Sequence, residues 1–387
     1  MIRRDAGAPP PVSHPADHTV PLRRQPPPAA SPPAPPRQPA PAAPVPSGPP
    51  QRPIAPTARR KPRKPRKRRW GRLLALSLVI GLLLAAAGVL GEILWLESSL
   101  HREPVLTDYS GRPAPGRGTT WLLVGSDSRQ GLTAEQQQEL ATGGDIGSSR
   151  TDTILLVHLP SLGSNTRPTM VSIPRDSYVP IPGHGKDKIN AAFAMGGAPL
   201  LVQTVEQATG LRVDHYAEVG FGGFAVLVDA IGGVTVCPTE SISDPLAGID
   251  LPAGCQKLDG RNALGYVRSR ATPRADLDRM INQRQVMSAL LHRAVSPAVW
   301  LNPWRWFSVP RAVIGALTVD RDDHAWDLAQ LGWALHGPIT TMTVPIGEFT
   351  DSDAGSVVVW NHDAARELFG ALASDAPVPA TALDTQP

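Results

Sequence analysis

A run of nineteen uncharged, mainly apolar residues, Leu73–Gly91, follows a stretch in which ten of fourteen residues are Lys or Arg. At 1.5 Å per residue, nineteen residues approach the roughly 20 needed to cross a hydrocarbon core about 30 Å thick. Trp70 and Trp95 flank the run, as aromatic residues do at the two surfaces of a bilayer. Because Lys and Arg resist translocation, we expect residues 73–95 to form a single membrane-spanning helix, with a cytoplasmic N-terminus and an extracytoplasmic C-terminal domain.

Two other interpretations of this run are less favoured. A signal peptide usually starts within the first residues and has a shorter apolar region, and this run ends without a small-x-small cleavage site. A buried core helix does not normally adjoin such a dense block of charge. We therefore expect an uncleaved anchor.

Charge and proline divide the chain into segments. Residues 1–72 hold 16 of the 38 Lys and Arg but only two acidic residues, and 22 of the 43 prolines lie before Gly71. Such a stretch buries little apolar surface, so residues 1–72 are predicted to be a disordered, basic cytoplasmic tail. The remainder holds 22 basic and 32 acidic residues, so the net charge of +4 does not indicate a nucleic-acid partner.

Further boundaries follow from Pro and Gly. Residues 96–118 are predicted to be a juxtamembrane linker and residues 375–387 a disordered tail. Between them, residues 119–374 alternate short apolar strand patterns with helical patterns, which predicts an α/β domain with a central mixed sheet covered by helices on both faces. The predicted strands are Trp121–Gly125, Thr153–Leu159, Thr169–Ile173, His215–Gly220, Val234–Val236 and Thr341–Pro345. The predicted helices are Ala198–Thr209, Phe221–Ile231, Asp259–Tyr266, Asp278–Val295, Ala325–Leu335 and His362–Ala373.

Two carboxylates stand at the ends of predicted strands. Asp127 follows a strand in VGSDSR, and Asp152 precedes one in SSRTDTILLVHL, two residues after Arg150. A lone charge beside a buried strand is costly. Two carboxylates brought together would suit Mg²⁺, which takes oxygen ligands. Taken alone, Asp127 is more typical of a turn or a helix cap than of a site.

Basic side chains punctuate the same region. Arg175 follows a strand in SIPRD, and a planar guanidinium recognises phosphate oxygens, although a surface pair with Asp176 is the alternative. Lys188, in KINAAF, stands near a predicted helix start and can reach a phosphate as a point charge. The glycine spacing ahead of Lys188 is neither that of a Walker A loop nor that of a dinucleotide loop.

The segment YVRSRATPRADLDRMINQ, residues 266–283, is the most informative. Arg268 and Arg270 are two residues apart, whereas Arg279 and Gln283 are four apart and would share a helix face. These three arginines and the glutamine, in an acidic domain, predict an anionic ligand, unless nearby aspartates neutralise them.

Cys237 and Cys255 are the two cysteines of the chain. They are too few for a disulfide scaffold or a four-cysteine zinc site. We expect them to form one disulfide, which suits an oxidising compartment. A catalytic cysteine is disfavoured because no supporting His/Arg signature is present.

In this order, the motifs VGSDSR, RTDTILLVHL, SIPRDSYV, KINAAF, ALGYVRSR and DLDRMINQRQ resemble the LytR-CpsA-Psr family from about Thr119 to about Ala373. The late VVVWNHDAARELF resembles its actinobacterial members. The resemblance implies an α/β sandwich with an apolar pocket for a polyprenyl tail. It also implies a phosphotransferase that moves a glycopolymer from a polyprenyl-pyrophosphate carrier onto N-acetylmuramic acid of peptidoglycan.

The resemblance also assigns roles to residues. It implies that Asp127 and Asp152 hold Mg²⁺, or Mn²⁺, which accepts the same oxygen ligands. Arg150 is implied to act at the reacting phosphate, and either aspartate is a candidate for the general base. The implied pyrophosphate-binding residues are Arg175, Lys188, Arg268, Arg270, Arg279 and Gln283.

The alternative function is a non-catalytic, membrane-tethered glycan-binding scaffold or envelope regulator. The implied partners are the lipid-linked glycan, peptidoglycan and the bilayer, with no nucleic acid. The sequence does not identify the glycopolymer.

Overall fold

The computed structural model describes residues 68–129, 132–143, 150–269 and 304–384, with Ala271, Leu301, Asn302 and scattered positions between 282 and 296. Residues 1–67, most of the predicted tail, lie outside the described residues, as do Arg270, Arg279 and much of the predicted helix Asp278–Val295.

The helices are α1 (Arg68–Ser99), α2 (Ala134–Glu139), α3 (Ile189–Thr209, interrupted at Gly196 and Gly197), α4 (Phe221–Ala230), α5 (Gly260–Arg268), α6 (Arg305–Ala316), α7 (Ala325–His336), α8 (His362–Ala373) and α9 (Ala380–Asp384). The strands are β1 (His101–Glu103), β2 (Thr119–Ser126), β3 (Thr151–Leu159), β4 (Thr169–Ile173), β5 (Tyr178–Ile181), β6 (Gly185–Lys188), β7 (His215–Val219), β8 (Val234–Val236), β9 (Ile242–Asp244), β10 (Ile249–Leu251), β11 (Gln256–Leu258), β12 (Leu317–Asp320), β13 (Thr340–Thr343), β14 (Ile346–Ser352) and β15 (Gly355–Trp360).

A seven-stranded mixed sheet forms the centre, in the order β1-β12-β7-β2-β3-β4-β13. β2 runs parallel to β7 and antiparallel to β3, which is itself antiparallel to β4. The carboxyl ends of β2, β4 and β7 therefore meet the amino end of β3 at one edge of the sheet, which we call the site edge. β12 is antiparallel to β7, so it starts at this edge.

Side chains alternate between the two faces of the sheet. On β2, Leu122 and Val124 join a cluster with α3 and α8, whereas Trp121 and Leu123 face a second cluster with α6, α7 and the end of α1. This is the period-2 pattern of a strand that is buried on both sides. The predicted fold class, a mixed sheet covered by helices on both faces, is confirmed.

A third apolar cluster lies outside the central sheet, between β7 and β12 in the chain. Its buried members run from Val228 to Val286 and include residues of α4, α5 and β8–β11. We call residues 221–316 the lobe, as far as they are described. The predicted disulfide between Cys237 and Cys255 is present in the lobe, with an S–S distance of 2.03 Å.

α6 returns the chain from the lobe to the sheet. It runs antiparallel to α4, because Ala316 at its carboxyl end lies over Gly223 near the start of α4, whereas Arg305 donates to the carbonyl of Ile231 beyond the end of α4. A Cβ at Gly223 would lie 2.3 Å from the Ala316 carbonyl oxygen, so the helices can approach this closely only with glycine there.

α1 is long and apolar enough to cross a membrane by length and composition. Its apolar residues from Leu73 to Leu94 are largely exposed, whereas Leu100 at its end is buried on the sheet. After α1, in the segment predicted to be a linker, β1 pairs with β12 as an outer strand of the sheet, and Val105 is 1% exposed. In the segment predicted to be a C-terminal tail, α9 buries Ala382 completely.

Candidate functional site

A β-bulge brings the two predicted carboxylates to the site edge. Gly125 pairs with Thr153 and Ser126 pairs with Thr151, so Asp152 is the extra residue on β3. Asp127 is the first residue after β2. Bulges commonly redirect a side chain beside an active site. Here the irregularity leaves Asp152 beside the end of β2 with its side chain 36% exposed.

Asp127 is half-buried, and its backbone is tied to the chain ahead of β3. Its N–H donates to the Arg150 carbonyl over 2.9 Å, and its Oδ1 accepts from the Arg150 N–H over 2.6 Å. Burial raises the pKa of Asp127 above its ordinary value. The Arg150 N–H opposes this shift, and the negative charge of Asp152 adds to it. The two carboxylates are therefore electrostatically coupled.

A chain of ion pairs continues from Asp152 along the same edge. Arg175 Nη1 lies 2.5 Å from Asp152 Oδ1, and Arg175 Nε lies 3.4 Å from Asp176 Oδ2. Lys188 Nζ lies 2.9 Å from Asp176 Oδ1. Burial acts to lower the pKa of Arg175, but the hydrogen bond and charge of Asp152 raise it. Arg175 and Lys188 are thus fixed cations at the site edge.

Arg268 reaches this edge from the end of α5 in the lobe. Its guanidinium lies 4.9 Å from the ring centre of Phe221, and its Nη1 donates to the Ala141 carbonyl over 3.0 Å. Burial lowers the pKa of Arg268, and the positive charge of Arg129 lowers it further. Within the described part of the chain, Arg268 forms no ion pair. An anion bound here would offset both effects.

Arg129 was not among the predicted site residues, although it ends the VGSDSR motif. Its Nη2 and Nε donate to the Thr142 carbonyl over 2.8 and 3.1 Å, one residue from the carbonyl that Arg268 contacts. No ion pair to Arg129 occurs among the described residues. The motif itself carried the signal, since an Arg two residues after Asp127 was already part of it.

Glu218, on β7 next to β2, is a second residue that sequence reasoning missed. It accepts from Ser126 Oγ over 2.6 Å and from the Tyr216 hydroxyl over 2.9 Å. Burial raises its pKa, which these hydrogen bonds oppose. A single Glu inside HYAEVG shows no pattern from which its position beside Ser126 could be predicted.

A close backbone contact holds the loop after β2 in place. Phe221 N donates to the Ser128 carbonyl over 3.1 Å, and a Cβ at Gly220 would lie 2.8 Å from that carbonyl oxygen. The start of α4 therefore supports the loop that carries Asp127. Because α4 also presents Phe221 to Arg268, one helix start positions a carboxylate and a cation.

The structure thus gathers Asp127, Asp152, Arg175, Lys188 and Arg268 around the site edge. The Arg150 backbone joins them through Asp127, and Arg150 itself is exposed. Gln283 lies behind Arg268, with Nε2 3.4 Å from the Val267 carbonyl. The roles of these residues stay predictions.

The model of the LytR_cpsA_psr family matches residues 104–373, which include the lobe and every strand of the central sheet except β1. The chain belongs to the LytR_cpsA_psr family. The motif-based resemblance is thereby confirmed.

Curated relatives agree with this assignment. The chain is 53% identical over 295 residues to "Probable cell wall biosynthesis protein LcpB" of Corynebacterium glutamicum, covering 76% of this chain and 69% of that one. It is 34% identical over 199 residues to "Regulatory protein MsrR" of Staphylococcus aureus, covering 51% of this chain and 55% of that one. Among solved structures, the LytR-Csp2A-Psr enzyme from Actinomyces oris has a TM-score of 0.54 at 24% identity, covering 71% of this chain and 97% of that one, so the fold is shared.

Proposed function

We propose that the chain is a membrane-anchored phosphotransferase of cell wall assembly, which moves a glycopolymer from a polyprenyl-pyrophosphate carrier onto peptidoglycan. Family membership and the description of LcpB as a cell wall biosynthesis protein support the process. The observation that carries the reaction is the pair of half-buried arginines, Arg129 and Arg268, which donate to neighbouring carbonyls at the site edge where Asp127 and Asp152 lie. A pyrophosphate that carries a metal ion requires two adjacent sites. The arginines would bind the phosphate oxygens, and the carboxylates would bind the metal.

The proposed reaction exchanges one phosphorus–oxygen bond for another. A hydroxyl of N-acetylmuramic acid attacks the phosphorus next to the glycan, and its proton passes to one of the two candidate general bases, Asp127 or Asp152. The bond from that phosphorus to the bridging oxygen breaks, and polyprenyl phosphate leaves with the electron pair. Guanidinium groups that are already in place stabilise the charge on the leaving phosphate without reorganisation. In this proposal Arg268 and Arg129 do so from the lobe side, and Arg175 and Lys188 from the sheet side.

The carboxylates fit a magnesium ion. Oδ1 of Asp127 accepts the Arg150 N–H, and Oδ1 of Asp152 faces Arg175, so each side chain retains a second oxygen. Burial raises the pKa of Asp127 and the charge of Asp152 adds to the shift, so a cation between the two carboxylates would favour their charged forms. Hard divalent ions take carboxylate oxygens, and Mg²⁺ and Mn²⁺ both qualify. Such an ion would neutralise charge on the phosphate oxygens.

The decisive experiment uses the full chain in liposomes with a polyprenyl-pyrophosphate-linked oligosaccharide, a peptidoglycan acceptor and Mg²⁺. Asp152→Asn and Arg268→Gln should each lower transfer by about 10²–10³-fold, the usual effect of removing one group that stabilises the transition state. Asp351→Asn and Arg366→Gln make the same chemical changes at exposed positions and should leave transfer unchanged. Full activity in both site variants would refute the proposal.

A non-catalytic regulator or glycan-binding scaffold is the second candidate, because the relative MsrR is described as a regulatory protein. A scaffold needs cations for binding but has no use for two coupled carboxylates. It would bind the lipid-linked glycan, lose binding in Arg268→Gln, and release no polyprenyl phosphate at any concentration of Mg²⁺. Release of polyprenyl phosphate by the unaltered chain, abolished in Asp152→Asn, decides for the enzyme.

A further inference from the structure

The amino end of α6 exposes four large apolar side chains within seven residues. Leu301 is 81%, Trp304 83%, Trp306 60% and Phe307 52% exposed. We call these four residues the α6 tip. Single exposed apolar residues are ordinary, but a contiguous group usually marks a surface that contacts something apolar.

An ion pair fixes α6 at a definite height on α1. Arg311 donates to both carboxylate oxygens of Glu92, over 2.8 and 2.5 Å, and lies 5.1 Å from the ring centre of Trp95. Glu92 is the first charged residue after the apolar run of α1. Phe307 and Trp304 lie four and seven residues before Arg311, so all three share one face of α6. Two of the four tip residues, Trp304 and Phe307, thus lie on the face of α6 that contacts α1.

The direction of α6 follows from the next contact along α1. Glu97 accepts from the Ala325 N–H over 3.0 Å at the start of α7, beyond the carboxyl end of β12. From Glu92 to Glu97, α1 therefore advances from α6 past β12 towards α7. The amino end of α6 points the opposite way, towards the apolar run. At 1.5 Å per residue, Trp304 lies about 10 Å from Arg311 along the helix.

We propose that the α6 tip inserts into the outer boundary of the phospholipid bilayer that α1 crosses. Trp is enriched at this boundary, where its ring meets both headgroups and acyl chains. α1 and the tip then give the domain two attachments to the bilayer, which fix its tilt as well as its distance.

Insertion of the α6 tip would also orient the site. The lobe is joined to the central sheet at the site edge, and α6 belongs to the lobe, so the site edge with Asp127 and Arg268 would face the membrane. A pyrophosphate attached to a lipid stays within reach of the headgroups, and the substrate would not have to leave the bilayer. The inference rests on the proposed membrane span of α1 and deepens the proposed function.

The test uses single cysteines that carry an environment-sensitive fluorophore, in the full chain reconstituted in phosphatidylcholine liposomes. Cys237 and Cys255 are joined and do not take the label. Trp304→Cys and, as a second position in the tip, Phe307→Cys are compared with Trp333→Cys on α7. Trp333 is the matched control, since it is 77% exposed but belongs to the helix that α1 meets only at its far end.

The label at both tip positions should be quenched severalfold more by lipids with a spin label near the headgroup than the label at Trp333→Cys, and less by aqueous iodide. Equal quenching at tip and control would overturn the inference. So would a tip label shielded from both quenchers, because a protein would then cover it. Leu83→Cys within α1 reports the span independently, through lipids with a spin label near the end of the acyl chain. Quenching there without headgroup quenching at the tip rejects the inference alone, and no acyl-chain quenching at Leu83→Cys rejects the anchor as well.

Discussion

The buried ion pair between Arg112 and Glu206 allows a sharp test of how the segment after α1 is held. Arg112 lies in the predicted linker, and its Nε donates to both oxygens of Glu206 on α3, over 3.1 and 3.2 Å. The side chains are 8% and 0% exposed. Glu206 also accepts from the Val213 N–H over 2.9 Å. We expect Glu206→Gln to keep the shape of the side chain but to leave the buried Arg112 charge with only the exposed Asp108 as a counter-ion.

Removing one partner of a buried pair costs about 3–5 kcal/mol, because the remaining charge stays desolvated. For a domain of this size, each kcal/mol shifts the unfolding temperature by about 2–4 °C. A loss of 3 kcal/mol therefore predicts a decrease of about 6–12 °C. Thermal unfolding of the full chain in detergent, followed by near-ultraviolet circular dichroism, measures it.

The control uses the other partner of the same arginine. Asp108 Oδ1 lies 3.0 Å from Arg112 Nη1, but the Asp108 side chain is 88% exposed. Exposed pairs contribute about 0–1 kcal/mol, so Asp108→Asn should change the unfolding temperature little. The double variant Arg112→Met with Glu206→Met removes both charges and should recover most of the loss. Equal shifts for Glu206→Gln and Asp108→Asn would refute the reasoning.

Three further predictions concern stability and the site. Burial acts to raise the pKa of Asp375, but hydrogen bonds from two neighbouring hydroxyl side chains and a backbone N–H lower it to about 2. The stabilisation that Asp375 provides is therefore present above about pH 4 and is lost as pH falls towards 2. Asp375→Asn should lower the unfolding free energy at pH 7 by about 2 kcal/mol and flatten the acid dependence of that free energy. Reducing the disulfide between Cys237 and Cys255 should lower the unfolding free energy by about 3 kcal/mol in the chain-entropy model. Denaturant titration with and without reductant measures this loss. Mass analysis that finds two free thiols in the untreated chain would contradict the disulfide. Gly220→Ala should shift the loop after β2 and lower kcat by at least about tenfold, with little change in the unfolding free energy. Gly370→Ala, where nothing lies within 4 Å of the added methyl group, should leave kcat unchanged. Equal kcat values for the two variants would count against support of the loop by α4.

Sequence patterns predicted the sheet well where strands are long and buried on both faces. The strands ending near Gly125, starting near Thr153 and spanning Thr169–Ile173 agree with β2, β3 and β4 within a few residues. Each is an apolar run bounded by turn residues, so the local signal and the tertiary environment agree. The helices α4, α7 and α8 were predicted for the same reason.

α6 and β12 were missed, and both misses have physical causes. Pro310 lies inside α6, and a proline in a helix interior normally argues against a helix. β12 is only four residues long, so its apolar pattern gives a weak local signal. Consequently the lobe was not predicted, because its boundaries are the end of β7 and the start of β12.

The site was predictable as a set of residues but not as a geometry. The motifs nominated Asp127, Asp152 and Arg268, yet the bulge that redirects Asp152 depends on the register between two strands, which no local pattern specifies. Arg129 illustrates the same limit. Its importance comes from sharing a turn with Arg268, and the two are brought together only when the lobe folds back against the loop after β2.

The site lies between two apolar clusters rather than inside one, because its groups come from two parts of the fold. Asp127 and Arg129 directly follow β2 of the central sheet, whereas Arg268 belongs to the lobe. The like charges of Arg129 and Arg268 are therefore held together by two separate cores. Repulsion between two half-buried guanidinium groups would separate them if either were on a free loop. Because α4 begins at the site edge and packs into the lobe, a ligand that neutralises both arginines should stabilise the junction as well as itself. Binding of pyrophosphate alone should therefore raise the unfolding temperature of the full chain by mass action, and Arg268→Gln should abolish that rise.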